Sequence, residues 1–257
     1  MKHLHNFTVR EIKNLQYNDF ELFVTLDEPL ETILPGQFVN ILVPNTQKTF
    51  LRRPISICDV DYAKNELRFY IRIVGNGTQR LSALESGDKL NILYPLGNGF
   101  TVENVKNPLL VGGGCGIAPL LYLAKTFFNK NIHPTVLMGG QTAKALSWTA
   151  DFEHFAEVHR ITDDGSTGEK GLVTQHRIWQ NISKFDQIYC CGPEPMMKAV
   201  AKLADCENIP CEVSLENVMA CGIGACLCCV TETTQGNQCV CVDGPIFDAR
   251  KLKNFVE

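Results

Sequence analysis

The sequence predicts a multidomain chain: an N-terminal antiparallel β-barrel, a central α/β nucleotide domain on a parallel sheet, and a small cysteine-rich C-terminal domain. Three observations predict it. The first hundred residues read as short strands, with no more than a short helix from Gln79 among them, and the middle alternates strand, glycine turn and helix. Most of the 12 cysteines then fall in the last quarter of the 257 residues. The texture changes give domains 1–102, 103–210 and 211–257, and the length suits more than one core.

The barrel strands are rich in β-branched and aromatic residues. Phe20-Glu-Leu-Phe-Val-Thr-Leu, Gln37-Phe-Val-Asn-Ile-Leu-Val, Leu67-Arg-Phe-Tyr-Ile-Arg-Ile-Val and Lys89-Leu-Asn-Ile-Leu-Tyr are separated by Pro, Gly, Asn or Asp. Such short strands close into a small antiparallel barrel. Two segments there suit an anion. Arg52-Arg53-Pro54-Ile55-Ser56 places a guanidinium and a hydroxyl two or three residues apart on an extended segment, a grip for a diphosphate. Gly75-Asn-Gly77-Thr78 is a turn that offers backbone N–H groups and a hydroxyl at the start of a helix from Gln79. Taken singly, each has a plain alternative: an edge-strand Arg-Pro and an ordinary turn.

In the second domain Leu109-Leu-Val runs into Gly112-Gly113-Gly114-Cys-Gly116-Ile-Ala-Pro119 and then the apolar helix from Leu120. That turn brings backbone amides and a helix N-terminus towards a pyrophosphate. It departs from the usual dinucleotide fingerprint, because Ile117 stands where the third glycine belongs. The next strand, Thr135-Val-Leu-Met, ends in Gly139-Gly-Gln141 without the acidic residue expected for a ribose, which disfavours an ordinary Rossmann dehydrogenase. A later strand, Gln187-Ile-Tyr-Cys-Cys191, ends in Gly192-Pro193-Glu-Pro195, so Cys191, Gly192 and Pro193 belong at the carboxyl edge of the same sheet. Packing alone could also demand both turns.

The C-terminal segment reads Cys221-Gly-Ile-Gly-Ala-Cys226-Leu-Cys228-Cys229 and, further on, Cys239-Val-Cys241. C-x4-C-x2-C with a distal cysteine is the plant-type [2Fe-2S] spacing, and glycines between the first pair let amides reach the cluster's sulfides. The third domain is then a small [2Fe-2S] domain. Spacing leaves Cys228 beside Cys229 open, and Cys239 beside Cys241, since residues two apart on a strand face the same way. A tetrathiolate zinc staple is the alternative reading.

Composition excludes other classes. The net charge of −4, with no basic run, provides no footprint for nucleic acid. The longest apolar stretch, residues 108–124, is interrupted by glycines and Pro119, and Met1-Lys-His-Leu-His-Asn-Phe has no signal-peptide core, so a cytoplasmic protein without a membrane anchor is expected.

Together, Arg53-Pro-Ile-Ser56, Gly77-Thr78, the 112–119 turn and Cys191-Gly-Pro-Glu-Pro-Met196 resemble, in order, the flavin and nicotinamide motifs of the ferredoxin-NADP reductase superfamily. Thr162-Asp-Asp-Gly-Ser-Thr-Gly-Glu-Lys-Gly-Leu-Val-Thr174, Met219-Ala-Cys-Gly-Ile-Gly-Ala-Cys226 and Cys241-Val-Asp-Gly-Pro-Ile-Phe247 resemble one branch of it, the electron-transfer subunits of NAD-dependent (class 1B) dihydroorotate dehydrogenase. The resemblance covers essentially the whole chain. It implies FAD on Arg53, Pro54, Ile55, Ser56, Tyr70, Ile71, Arg72, Gly77 and Thr78, and a cluster on Cys221, Cys226, Cys229 and Cys241. NAD is expected as substrate at the glycine loops. The partner implied is an FMN-bearing catalytic subunit, in a heterotetramer of two of each.

The implied route takes electrons from dihydroorotate, oxidised at that FMN, singly through the cluster to FAD and as hydride to NAD+, in pyrimidine biosynthesis. FAD converts between one- and two-electron carriers, so no catalytic side chain is required here, and the chain alone should act only as an NADH diaphorase. Departures from the superfamily pattern are Ile55, where many members carry a flavin-stacking tyrosine, and Cys115 and Cys228, read as small space-fillers. Two alternatives stand beside this reading. One is the flavin and iron-sulfur subunit of a sulfhydrogenase or ferredoxin-NADP transhydrogenase, which Ala225 disfavours because a basic residue often precedes the second ligand there. The other is a zinc-stapled, non-redox adaptor.

Overall fold

The computed structural model describes residues 2–44 and 49–256. Its first layer is a seven-stranded antiparallel sheet rolled into a half-open barrel. The strands are β1 (His3–Asn14), β2 (Asp19–Thr25), β3 (Phe38–Ile41), β4 (Arg53–Ser56), β5 (Asp59–Asp61), β6 (Glu66–Arg72) and β7 (Lys89–Leu96), in the order β4-β3-β7-β1-β2-β6-β5. The edges β4 and β5 follow each other in sequence. Ile57 N–H donates to Gln37 O at 3.1 Å and Cys58 N–H to Arg68 O at 2.9 Å, so residues 57 and 58 draw the edges together. Phe7, Val9, Phe20, Leu22, Leu67 and Tyr94 fill the interior. A short helix, α1 (Asn76–Ser82), follows β6.

The second layer is a sheet of β8 (Pro108–Gly113), β9 (Thr135–Gly140), β10 (Glu157–Thr162), β11 (Glu169–Lys170), β12 (Gln187–Cys191), β13 (Cys211–Ser214) and β16 (Ile246–Asp248). Its order is β11-β10-β9-β8-β12-β13-β16, parallel except for β16. Helices α2 (Ala118–Asn129) and α3 (Glu194–Cys206) begin with prolines in their first turn, where a missing N–H costs nothing. The chain moves from β8 to β9 on one side, while β12 lies on the other, so the order reverses between β8 and β12. Ligands of open α/β sheets bind at such a switch point. Register aligns Gly112 with Cys191 and Cys191 with Ser214 along that carboxyl edge.

Between β13 and β16 lie the cysteine loop and a hairpin, β14 (Val230–Thr233) with β15 (Gly236–Cys239). This segment shares a core with the outer face of the barrel and with α3: Phe38 and Leu96 pack in one cluster with Cys229, Val240, Cys241 and Val200. The two layers are joined elsewhere by Lys125 on Asp59 (2.8 Å) and by Tyr70 stacked on Trp148, ring centroids 4.3 Å apart.

The strands expected from residues 20, 37, 67 and 89 are present within one or two residues of their predicted ends, as are those from 109, 135 and 187. Several strands are absent from the sequence reading, the short β5, β11, β13, β14 and β16 and the longer β1 and β10. In β1 only Phe7 and Val9 are buried, and histidines, Asn6 and Arg10 mask the alternation. In β10 only Ile161 and Thr162 are buried.

Gly116 sets how near the two switch-point loops come: a Cβ there would stand 2.5 Å from the carbonyl of Cys191 and from Gly192 Cα. Backbone cannot yield as a side-chain tip can. Gly116→Ala is expected to cost about 1–3 kcal/mol, the range for overpacking, read as a lower urea midpoint at unchanged slope; an unchanged midpoint would contradict the close packing of these loops.

Candidate cofactor sites

Two contiguous cavities follow the seam between the layers. The larger, about 420 Å³, is walled by Arg53, Pro54, Ile55 and Ser56 of β4, Tyr70, Ile71 and Arg72 of β6, and Thr78 of α1. Met219 and Pro245 close it from the C-terminal segment. Of the residues expected to hold FAD, all but Gly77 line it, and Gly77 lies directly behind: a Cβ there would be 2.7 Å from Arg53 Nε. Arg53 Nη1 donates to Leu51 O at 3.0 Å, which pins the guanidinium at the N-terminal turn of α1. That is a positive charge beside free helix amides, the donor set a diphosphate needs. Thr78 Oγ1 accepts from the N–H of Val74 (3.0 Å) and of Gly75 (3.3 Å), so its hydroxyl shapes the turn.

Arg52 has a different task from its neighbour. It donates to Asn40 O at 3.2 Å, Asn91 O at 3.1 Å and Asn91 Oδ1 at 2.5 Å, tying β3 to β7 on the outside of the barrel.

The smaller cavity, about 290 Å³, opens over the switch point and is lined by Gly113, Gly114, Gly116, Gly192 and Pro193. Gly112 and Cys191 are buried beneath it. Burial pushes the Cys191 thiol well up, and Cys191 Sγ faces Ser214 O at 3.9 Å. Both cavities share Arg72, Cys115, Leu215, Glu216 and Asn217, so an aromatic ring in one would meet a ring in the other there.

Glu216 went unread in the sequence. It is exposed to solvent where it opens onto both cavities, and the cavity walls on its protein side raise its carboxyl above the ordinary range by desolvation. Its signal was positional: an acidic residue just beyond the carboxyl end of a sheet strand. Cys115 packs against the apolar core as a space-filler would, whereas that reading is corrected for Cys228. Cys115 is half-buried on the wall common to both cavities, and Cys228 is exposed because Cys229, next to it, is the one turned inward.

The cysteine loop presents thiols with amides already aimed at them. Ile223 N–H donates to Cys221 Sγ (3.4 Å), Gly224 N–H to Cys241 Sγ (3.2 Å) and Cys241 N–H to Cys229 Sγ (3.4 Å). The amide of Ile223 lowers the Cys221 thiol to about 6, with further help from the amide and thiol of Cys226. Burial, then contact with the Cys229 thiol, raises Cys241 to about 12. The four expected ligands thus stand as two pairs, Cys221 with Cys226 and Cys229 with Cys241. Among the described residues no three Cys, His, Asp or Glu side chains stand close enough as placed to hold a metal ion, while both pairs carry amide donors of the kind that bond a cluster's sulfurs. Cys239 ends β15, where its N–H donates to Asp243 Oδ2 at 2.7 Å, and Cys241 rather than Cys239 reaches the loop through Gly224.

A barrel with an anion grip, a switch-point sheet with bare glycine loops and a thiol-bearing tail define a reductase of the ferredoxin-NADP reductase fold with an iron-sulfur appendage. The comparisons agree. Residues 110–202 match the oxidoreductase NAD-binding domain, and residues 216–253 match the iron-sulfur cluster binding domain of dihydroorotate dehydrogenase B. The electron transfer subunit of dihydroorotate dehydrogenase B (NAD(+)) from Geobacillus sp. (strain WCH70) is 38% identical over 251 residues, 95% of this chain and 96% of that protein. The subunit of the same name from Caldanaerobacter subterraneus is 41% identical over 222 residues, 85% of this chain and 86% of that one. A solved NADH-dependent reduced ferredoxin-NADP oxidoreductase superposes with a TM-score of 0.86 at 30% identity, over 96% of this chain and 89% of that one. The ferredoxin reductase of carbazole 1,9a-dioxygenase shares the fold, with TM-score 0.71 at 20% identity over 81% of this chain and 67% of that one. The chain belongs to the family of dihydroorotate dehydrogenase B electron transfer subunits.

One buried network holds the shared wall in shape. Asp19 accepts from the Tyr70 hydroxyl and pairs with Arg72 at 3.5 Å, and burial together with that carboxylate pushes the Tyr70 phenol upward. Asp19→Ala leaves a buried hydroxyl and a guanidinium short of their acceptor. It should cost about 1–3 kcal/mol, measured by chemical denaturation against the parent chain; an unchanged midpoint would show that water replaces the carboxylate there.

Proposed function

We propose that this chain is the electron-transfer half of an NAD-dependent dihydroorotate dehydrogenase, carrying electrons from a partner's flavin to NAD+ in the cytoplasm for pyrimidine synthesis. The observation that carries the reading is the seam itself. An anion-gripping cavity, a glycine-lined cavity and a thiol loop adjoin one another within a single fold. Residues 1–102 serve the flavin, 103–210 the nicotinamide and 211–257 the cluster. When bound, FAD exchanges hydride with nicotinamide and single electrons with the cluster, chemistry that side chains do not possess.

What the chain's own residues do is hold and exclude. Arg53 and the first amides of α1 neutralise the diphosphate, with Ser56 on the same strand, while Pro54, Ile55, Tyr70, Ile71 and Arg72 form the ring's slot with Gly77 and Thr78 behind. Gly112, Gly113, Gly114 and Gly116 clear space for the dinucleotide's backbone, and Cys191, Gly192 and Pro193 bound the nicotinamide end. Cys221, Cys226, Cys229 and Cys241 ligate the cluster. The loop after β9, residues 139–143, has no arginine, with Lys144 the nearest cation in sequence, so a 2′-phosphate lacks its guanidinium and NAD(H) is preferred over NADP(H).

The partner is an FMN-bearing catalytic subunit in a heterotetramer of two of each. Its docking face is supported by apolar side chains left in the open about the cysteine loop: Ile223 and Leu227 within it, Val218 before it and Val242 beside Cys241, with Leu227 65% and Val218 78% exposed. Apolar side chains left in the open around a redox loop suit a lasting protein interface. Among the described residues no helix is long and apolar enough to cross a membrane.

Three outcomes check this reading. Cys241→Ser should abolish or gravely weaken the cluster's visible and paramagnetic signals, whereas Cys239→Ser and Cys228→Ser leave them nearly intact; loss with Cys239 but not Cys241 would reverse the ligand assignment. Arg53→Ala should weaken FAD binding by about 1.5–3 kcal/mol, the range for charged hydrogen bonds, at unchanged iron content, and full flavin retention after long dialysis would make Arg53 structural. The isolated chain should reduce artificial acceptors with NADH, better than with NADPH, and not oxidise dihydroorotate. Adding the FMN-bearing subunit from the same cell should restore dihydroorotate-to-NAD+ transfer, and a partner that fails to bind would refute the assignment.

A further inference from the structure

Asn40 is a buried polar side chain that no described residue answers. Its neighbours Val39 and Ile41 fill the barrel, so the alternation of β3 turns Asn40 outward, on the side where Phe38 packs with Cys229 and Cys241. The residue is fully buried, and among the described residues neither its Oδ1 nor its Nδ2 has a hydrogen-bond partner. A carboxamide left so is costly, and buried unpaired polar groups commonly mark an absent ligand.

The atom that faces outward points at the cysteine loop. A Cβ on Gly222, the residue after Cys221, would run into Asn40 Nδ2, so the loop backbone passes directly over the carboxamide, and Gly222 also sits at φ +70°, where glycine is at ease. The backbone of Asn40 is held from behind by Arg52, which donates to Asn40 O. From the far side, the amides of Ile223, Gly224 and Cys241 already donate to thiol sulfurs. On the barrel side the unpaired donor close to the loop is the Asn40 carboxamide. Thiolates and inorganic sulfides accept hydrogen bonds and donate none, which matches an N–H group and leaves no use for a carboxylate at this position.

We propose that the Asn40 carboxamide N–H bonds a sulfur on the barrel-facing side of the [2Fe-2S] cluster, which makes Asn40 a positioning residue that raises the cluster's reduction potential and clamps the cluster loop to the flavin-bearing barrel. The inference rests on the iron-sulfur reading given above. Reduction adds one electron and makes the sulfurs more basic, so a donor at that site stabilises the reduced state more than the oxidised one, and its removal lowers the potential.

The test is an EPR-monitored redox titration of the full chain with its cofactors, comparing the parent with Asn40→Leu and Asn40→Asp. Asn40→Leu should shift the one-electron equilibrium about tenfold towards oxidised, a fall of about 59 mV, with iron and flavin content unchanged. Asn40→Asp should fall further, because a carboxylate cannot donate and adds negative charge. An unchanged midpoint in a fully loaded Asn40→Leu chain would overturn the inference and leave the cluster assignment standing; no cluster signal in the parent would sink the cluster assignment itself and this inference with it. Should neither variant keep its iron, pulsed EPR of the parent labelled with ¹⁵N in asparagine carboxamides decides. Asn217 spends its Nδ2 on the carbonyls of Cys229 and Val230, and Asn98, beside the distal cysteines, spends its own on the carbonyls of Asp243 and Ile246, so a ¹⁵N coupling to the reduced cluster supports the bond and its absence overturns it.

Discussion

The molecule depends on how closely backbone can approach backbone along the seam between its two sheets. Where Gly116 meets the backbone of Cys191 and Gly192, and where the Gly222 backbone meets the Asn40 carboxamide, no Cβ fits. Those contacts decide where the cavities lie. The cavity over the switch point exists because two loops come together without Cβ atoms, and the thiol loop lies against the barrel because glycine lets it pass. Carriers that exchange electrons must lie near one another, and a protein secures that by thinning its own walls.

This constraint explains the division of polar groups. Charges that face the cavities are anchored from behind: Arg53 by the carbonyl of Leu51, Arg72 by Asp19 and the Tyr17 ring. Arg68, on the same sheet, bridges Glu21 of β2 to Asp151 of the second layer and so fixes one layer against the other. Rigid anchoring of a guanidinium lowers the entropy lost when an anion arrives. Tyr70 has its hydroxyl on Asp19 and its ring on Trp148, and the wall it forms is correspondingly stiff.

Much of this was legible in the sequence because local chemistry and local structure coincide there. Glycine turns after apolar strands, Arg-Pro-Ile-Ser on an extended segment and C-x4-C-x2-C spacing each put their function and their fold in the same few residues. What escaped was non-local. β1 is a central strand that carries His3 and His5 on the same face as Phe7 and Val9 and Leu4 on the outward face with Asn6 and Arg10, so its alternation is visible only when β2 and β7 are placed beside it. Arg52 and Arg53 are neighbours in sequence with the same charge, and only the register of β3, β4 and β7 sends one to Asn91 and the other to the cavity. Glu216 and Asn40 carry no motif, and each gains its meaning from segments far away in sequence. Spacing left Cys239 and Cys241 both open until the family resemblance pointed to Cys241; in the structure β15 ends at Cys239, whose N–H goes to Asp243.

The central claim is that flavin and cluster sit in electronic contact across this seam in one chain. Anaerobic addition of NADH to the purified chain, followed together by visible absorption and low-temperature EPR, tests it most directly. One flavin and two irons per chain are expected, with flavin bleaching accompanied by the signal of a reduced [2Fe-2S] centre. A flavin that bleaches while the cluster stays oxidised, or a colourless protein holding zinc, would contradict it.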